Sequence, residues 1–415
     1  MEQTLVQDAV TEVNSEEQGC RAMATIQEIA SIFPIEGADA IEGVQILGWY
    51  CVAKKGEFQV GDKCVFFEID SILPEADQFE FMRPRKFRVK TAKFRKQISQ
   101  GLALRIEDAL VGFGRLTEDL KGDIFLPNNV PGQVIELQVD ADLTQALGVG
   151  KHDPEGESLS INAKRELQPS FKHRYWIVRQ YKKYSYFLKR WFYKSSLAKA
   201  LNIRNPFEVK GFPSYVPKTD ETRVQNLGKY LRDNAGQPGY TSEKCEGQSI
   251  TVSRKGKEEF VCSRNLDMSH APESNWMLMD TKYSLRNKLR VADRDYAIQA
   301  EIIGPGVQGN IYDLKELEIR VFYIYDIAAK RKLNSRDFLA LCDEWELPVV
   351  PILEINYKLP GTVDELVEYS VGKSKLNYRK DREGIVFVAH NPNYDFPGFS
   401  CKAINPQYLL KQDKD

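Results

Sequence analysis

Tyr240-Thr-Ser-Glu243-Lys244-Cys-Glu246-Gly247-Gln-Ser-Ile-Thr-Val252 sets a lysine in a K-x-E-G context just ahead of a β-type run. A lysine that attacks an electrophile must first lose its proton, which takes desolvation or neighbouring cations. Gly247 permits close backbone approach by a nucleotide, and Glu246 is placed to hydrogen-bond a ribose or to help hold the lysine. By itself K-x-E-G is unspecific, because a surface lysine ahead of a turn is spelled the same way. The order of the stretches downstream makes it informative.

Ser263-Arg264-Asn265 comes next, with its arginine 20 positions after Lys244, followed by Gln299-Ala-Glu301-Ile-Ile-Gly304-Pro-Gly306-Val-Gln-Gly309-Asn310. Then come Phe322-Tyr-Ile-Tyr325-Asp326-Ile, Arg382-Glu383-Gly384-Ile-Val386-Phe and Phe399-Ser400-Cys-Lys402-Ala-Ile. The glycines at 304, 306 and 309 superficially match a dinucleotide fingerprint. Pro305 and the lack of a helical pattern after them argue against one.

This ordered set resembles motifs I, Ia, III, IV and V of the covalent nucleotidyltransferase superfamily, which comprises polynucleotide ligases and mRNA capping enzymes. The likeness is closest to ATP-dependent RNA ligases that carry an OB-like domain ahead of the transferase domain. It extends to IEGADAIEGVQILGW, GEFQVGDKCVFFEIDSILPE, RVKTAKFRKQISQGLAL and PKTDETRVQN. Capping enzymes and most DNA ligases place an OB domain after motif V, where this chain has only 13 residues beyond Lys402. The resemblance therefore implies an RNA ligase joining 3′-hydroxyl and 5′-phosphate ends in RNA repair. A DNA ligase, or a non-catalytic RNA-binding protein on a ligase scaffold, remains the alternative.

The resemblance also implies roles. Lys244 attacks the α-phosphate of ATP, and Glu243 contacts adenine through its backbone carbonyl. Arg264 lies on the ribose and 5′-phosphate side, and Glu301 contacts a ribose hydroxyl or a hydrated metal. Tyr325 is the preferred aromatic to stack on adenine, with Phe322 as the alternative and plain strand core as the competing reading. Val386 covers the other face of the base. Glu383 orients the lysine or a metal-bound water, and Lys402 neutralises the transferred phosphate. Mg²⁺ or Mn²⁺ is the implied metal, with Glu301 and Glu383 as its carboxylates. One departure stands out, because many family members have a second lysine at the position of Ser400.

From Ala24 to about Gly150, short β-type runs such as ATIQEIASIF, VQILGWYCVA and KCVFFEI are separated by turn signals, which suggests an OB-like or SH3-like barrel. Within it, Arg83 to Lys96 holds eight basic residues, no acid, and Phe87 and Phe94. Cations offset phosphate charge and aromatic faces stack on bases, so Arg85, Lys86, Arg88, Lys90, Lys93, Arg95 and Lys96 are candidate RNA contacts. A lysine-protected edge strand is the competing reading. Leu167 to Phe207 is densely basic and aromatic with no Asp or Glu, fitting a helical connector, an RNA grip or a helix lying on an anionic membrane.

After about Tyr215 the pattern turns α+β, with helix-like RVQNLGKYLRDN and SRDFLALCDEWEL between strand-like EEFVCS, YAIQAEII, IRVFYIYDI and EGIVFVAH. The expected fold is thus α+β: an OB-like β-barrel, then an ATP-grasp-like nucleotidyltransferase domain of antiparallel sheets flanked by helices. The expected division is a flexible acidic leader 1–22, an OB-like domain 23–150, a linker 151–214 and a ligase domain 215–415. The OB-like domain is expected to grip RNA, nicked or broken strands and duplexes included, without being needed for lysine adenylylation.

The 415 residues carry a net charge of −1, so any nucleic-acid affinity rests on where charges sit. Seven scattered cysteines without C-x-x-C read as reduced thiols, and four dispersed histidines share no zinc-ligand spacing. No apolar run suggests a membrane span, which makes the cytoplasm the expected location.

Overall fold

The computed structural model describes residues 22–119, 122–152, 176–196, 210–269, 271–390 and 399–412. The acidic leader lies outside them except for Ala22, as do residues 153–175 and 197–209 of the linker.

The run ATIQEIASIF falls within β1 (Ala24–Pro34), 11 residues long. A register shift between Ile29 and Ser31 bends it. Its first half pairs with β4 (Lys63–Phe67) and its second with β2 (Ile41–Ile46). A bulged strand shared between two pairings is how a small sheet curls toward a barrel. β2 turns into β3 (Trp49–Lys54) through Leu47-Gly48, with Leu47 at φ 53, so VQILGWYCVA is a hairpin.

The sheet runs β3-β2-β1-β4-β8, with β8 at Leu102–Arg105. β4 is buried on both faces, which explains its unbroken apolar run. Val65 and Phe67 join a core with Met23, Ile26, Phe79 and Phe125. Cys64 and Phe66 join a second with Ile29, Val44 and Trp49.

Smaller pairings complete this half: β5 (Ser71–Ile72) with β12 (Gly150–Lys151), β6 (Ala92–Phe94) with β7 (Gln97–Ser99), and a three-stranded sheet of β9 (Gly114–Asp119), β10 (Gly122–Pro127) and β11 (Ile135–Glu136). The basic run divides between a 3-10 segment, Asp77–Arg85, and the β6–β7 hairpin. Phe87 is not a stacking face; it is 5% exposed in the core, beneath the Arg83 guanidinium. Within the linker, α1 spans Trp176–Lys194.

Two five-stranded sheets form the second half. The first runs β13-β22-β21-β14-β20, from β13 (Thr222–Arg223), β14 (Pro238–Lys244), β20 (Ile352–Lys358), β21 (Gly384–Ala389) and β22 (Ser400–Ile404). The second runs β16-β15-β17-β18-β19, from β15 (Gln248–Lys255), β16 (Glu258–Cys262), β17 (Tyr296–Ile303), β18 (Glu318–Asp326) and β19 (Arg331–Lys332). All pairings are antiparallel except β13 with β22.

Helices cover the outer faces. α2 (Gly228–Asp233) and α6 (Val363–Ser370) bury Leu231 and Leu366 against Phe387 and Ala403. α3 (Asn275–Tyr283), α4 (Leu285–Val291) and α5 (Ser335–Glu344) bury Trp276, Leu289 and Phe338 against Val252, Ile298 and Ile319. RVQNLGKYLRDN splits into a 3-10 turn, Val224–Asn226, and the short α2. The closing helix α7 (Pro406–Gln412) packs Leu409 onto the core around Trp49.

The two halves meet at polar contacts. Trp49 Nε1 donates to Asn226 Oδ1 at 2.6 Å, Asn226 Nδ2 donates to Glu68 Oε1 at 2.6 Å, and the Gly48 N–H donates to the Gln225 carbonyl at 2.8 Å. A Cβ at Gly48 would stand 2.9 Å from the Gln225 backbone, so this approach needs glycine.

Candidate active site

Lys244 is the last residue of β14 in one sheet, and Gln248 opens β15 in the other. Cys245-Glu246-Gly247 is therefore the crossing between sheets, and the lysine emerges where they part. A Cβ at Gly247 would stand 2.2 Å from the Ile302 carbonyl oxygen and 2.7 Å from Glu301 Cγ. The close approach at Gly247 is thus with β17, and it anchors the crossing.

A cavity of about 360 Å³ opens between the sheets. That lies within the ~300–1,000 Å³ usual for small-ligand sites. Its walls include Lys244, Glu243, Glu246, Gly247, Arg264, Glu301, Phe322, Glu383, Val386 and Lys402.

Tyr325 is not among the lining residues; its ring packs with Val216, Ala297 and Ile327. The reason lies in β18, where Gln299 pairs with Tyr323 and Ala300 with Val321, leaving Phe322 as an extra, bulged residue. A bulge re-aims side chains, and both Phe322 and Tyr323 line the cavity while Tyr325 falls into the core behind. Val386 and Val388 of β21 form an apolar patch with Phe322, Tyr240 and Ile352.

Lys244 Nζ donates to Glu383 Oε1 at 2.6 Å. Burial pulls the amine's pKa down, but the carboxylates of Glu383 and Glu301 outweigh it and hold the amine above an ordinary lysine. The carboxylates around Lys244 therefore favour its charged form, where sequence reasoning looked for desolvation or neighbouring cations to free the amine. Burial pushes the Glu243 and Glu246 carboxyls up. Glu243 accepts from the Lys375 N–H at 2.7 Å, and Glu246 from the Gly309 N–H at 3.2 Å.

A second cluster stands in the same cavity. Asp220 accepts from Lys402 Nζ at 2.6 Å, Lys151 Nζ at 2.6 Å and Arg264 Nη2 at 3.1 Å. Burial would raise the Asp220 pKa, yet the three cations drive it well below the ordinary carboxylate range. Three cations converging on one partly exposed carboxylate form a ready phosphate site.

Glu221, next in sequence, accepts from Tyr323 Oη at 2.9 Å, Lys332 Nζ at 3.0 Å and Ser400 Oγ at 2.6 Å. Lys332 Nζ lies 3.4 Å from Ser400 Oγ, so a cation from β19 stands beside the serine at which the chain departs from the motif it resembles.

The first half contributes to the walls too. Asp70, Arg88 and Lys151 line the cavity, with Arg88 Nη2 2.6 Å from Asp70 Oδ1 and Arg223 Nη2 3.6 Å from Asp70 Oδ2. Arg88, a candidate RNA contact by its place in the basic run, is instead half-buried in this ion pair. Arg85, Lys86, Lys93, Arg95 and Lys96 are exposed and Lys90 partly so, with Lys96 paired to Glu36 at 2.9 Å. Sequence reasoning also missed Asp220, Glu221 and Tyr408, which lines the cavity from α7. Only the family likeness of PKTDETRVQN pointed toward Asp220 and Glu221.

Carboxylates of Glu301 and Glu383 line the cavity, and Glu383 Oε2 is buried without a protein hydrogen-bond partner. Oxygen donors of this kind fit a hard divalent cation shared with substrate phosphates. Among the described residues no group of three side chains forms a complete metal cage.

Residues 238–404 match a family model described as RNA ligase, and residues 23–106 match one described as an OB-fold domain. No curated protein sequence matches the chain. Among solved structures, the chain is similar to the RNA ligase of Naegleria gruberi. A lysine-to-methionine mutant of that protein with AMP and Mn is 29% identical, with a TM-score of 0.71 over 95% of this chain and 100% of that one. A lysine-to-alanine mutant with ATP and Mn is 29% identical, with a TM-score of 0.69 over 94% and 99%. The same ligase with PPi is 28% identical, with a TM-score of 0.69 over 95% and 100%.

Proposed function

We infer that this chain is an ATP-dependent RNA ligase of the covalent nucleotidyltransferase superfamily, with an OB-fold domain ahead of its transferase domain, and that Lys244 is its nucleophile. The observation that carries the assignment is the meeting of Lys244, Glu383 and the Lys402–Arg264–Lys151 cation cluster around one cavity between two sheets.

In the first step Lys244 Nζ attacks the α-phosphorus of ATP. An N–P bond forms, the bond to pyrophosphate breaks, and Glu383, 2.6 Å away, is placed to take the amine proton. In the second, an oxygen of the RNA 5′-phosphate attacks the same phosphorus, the N–P bond breaks and the lysine regains a proton. In the third, the RNA 3′-hydroxyl attacks the 5′-phosphorus and AMP leaves.

Phe322 and Val386 hold adenine between them, Glu243 and Glu246 position the base and ribose, and Lys402 and Arg264 neutralise phosphate. Glu301 and Glu383 would hold Mg²⁺ or Mn²⁺, which would offset the charge gathered on the phosphates. Asp220 holds the same three cations that a phosphate would draw, and it yields them when ATP enters. The similar Naegleria ligase was solved with ATP and Mn and with AMP and Mn, which supports the cofactor assignment.

Nicked or broken RNA is the substrate we assign, with the exposed Arg85, Lys86, Lys93 and Arg95 reaching its backbone. We divide the chain as leader 1–22, OB-fold domain 23–150, linker 151–214 and ligase domain 215–415. Six cysteines, Cys51, Cys64, Cys245, Cys262, Cys342 and Cys401, are free and buried, which supports a reducing, cytoplasmic setting. Among the described residues no helix is long and apolar enough to cross a membrane.

Pre-adenylylated RNA and DNA strands on matched templates test the substrate. Sealing of the RNA strand, abolished by Lys402→Ala, is expected; sealing of DNA alone would contradict the assignment.

A further inference from the structure

We propose that helix α1 (Trp176–Lys194) is a membrane-surface anchor that lays its aromatic face on an anionic lipid bilayer. Ile177, Tyr181, Tyr184, Leu188 and Trp191 follow one another at intervals of four, three, four and three residues, which aligns them along one stripe of the helix. Each of them is between 60% and 73% exposed, so no part of the described protein covers the stripe.

A 19-residue helix is about 28 Å long, and the uncovered stripe from Ile177 to Trp191, about 21 Å of it, is costly in water. By sequence spacing, Arg179, Lys182, Lys183, Lys189, Arg190 and Lys194 fall on the opposite half of the helix. The helix has no acidic residue, and neither has the whole stretch from Leu167 to Phe207.

One occupant satisfies both faces. At a bilayer surface, Ile177 and Leu188 enter the acyl boundary and Trp191 and the tyrosines sit at headgroup depth. The lysines and arginines meet anionic headgroups, each adding attraction that salt weakens. RNA would pair with the basic half but leave the stripe in water, and the aliphatic Ile177 and Leu188 have no face for stacking on bases. A second copy of the helix would cover the stripe only by bringing two wholly cationic helices together.

The test is co-sedimentation of the full chain with vesicles of phosphatidylcholine alone or with roughly a third phosphatidylserine, with tryptophan emission followed in parallel. The chain is expected to sediment with the phosphatidylserine vesicles, with emission shifted to the blue, and to stay free with phosphatidylcholine alone. Ile177→Ser, Leu188→Ser and Trp191→Ser together should lower vesicle partitioning by at least about tenfold while lysine adenylylation is unchanged. Lys182→Gln, Lys183→Gln, Lys189→Gln and Arg190→Gln together should remove the phosphatidylserine dependence.

No sedimentation with anionic vesicles would overturn the proposal, as would binding indifferent to the triple substitution. Loss of RNA affinity in the triple variant, with vesicle binding kept, would assign the helix to RNA instead. A wild-type dimer that the triple variant splits, without vesicle binding, would assign it to self-association.

Discussion

At Lys244 the amine donates to Glu383 and is held charged, so a proton must leave before the proposed attack of nitrogen on phosphorus. Because its pKa is raised, the neutral fraction grows about tenfold per pH unit through neutrality toward the ordinary lysine value of about 10.4. Single-turnover adenylylation at saturating ATP should therefore climb from about pH 6 to about pH 9, and a flat profile would mean the amine enters the reaction already neutral. Glu383→Gln removes the carboxylate that does most to raise that pKa and should move the rise to lower pH while reducing the maximal rate.

Asp220 carries the opposite shift. Its folded pKa is depressed, so the stabilisation it gives is complete above the unfolded value near pH 4 and is lost as pH falls toward the folded one. Asp220→Asn leaves Lys151, Arg264 and Lys402 without their shared anion. It should destabilise the nucleotide-free protein by about 1–3 kcal/mol in urea unfolding, less than for a fully buried pair because Asp220 is 29% exposed. Added ATP should restore much of the loss. That Lys244, Lys402, Arg264 and Glu383 gather at one cavity follows the family resemblance of the ordered motifs. Asp220 and Lys332 were not, because their importance comes from which charges fold around them.

Among the elements, the β14–β15 crossing and the bulge in β18 decide the geometry of the site. Gly247→Ala would push a methyl group to 2.2 Å from the Ile302 carbonyl, into backbone that cannot rotate away. Stability should fall by about 1–3 kcal/mol and lysyl-AMP formation with it, read by denaturant melts and label incorporation. The glycine was legible as a special position, though the partner it approaches is β17.

The aromatic wall shows a limit of pattern reading. Strict alternation along IRVFYIYDI does not reveal that Phe322 is the inserted residue of a bulge, since register depends on the neighbouring strand. Phe322→Ala should weaken nucleotide binding more than Tyr325→Ala, which should chiefly cost stability. The reverse order would restore Tyr325 as the stacking ring.

Across the whole molecule, the OB-fold half is part of the cavity. Asp70 and Arg88 stand in its wall, and Trp49, Gly48 and Glu68 fix the two halves through Gln225 and Asn226. Removing residues 1–150 should therefore impair lysine adenylylation itself, against the expectation from sequence that this half only grips RNA. Unchanged label incorporation by the folded remainder would show the wall to be dispensable. Strand runs and sheet class were legible because burial imposes apolar periodicity. Docking of the halves was not, because it rests on one glycine, on Leu409 packed against the Trp49 core, and on polar contacts between residues 158 to 314 positions apart.

The proposed reaction turns on a phosphoramidate at one nitrogen. Incubating the chain with α-labelled ATP and Mg²⁺, digesting it and mapping the adenylylated peptide should place AMP on Lys244 alone. The acid-labile label should be lost in Lys244→Ala. AMP on another residue, or label retained by Lys244→Ala, would contradict the account.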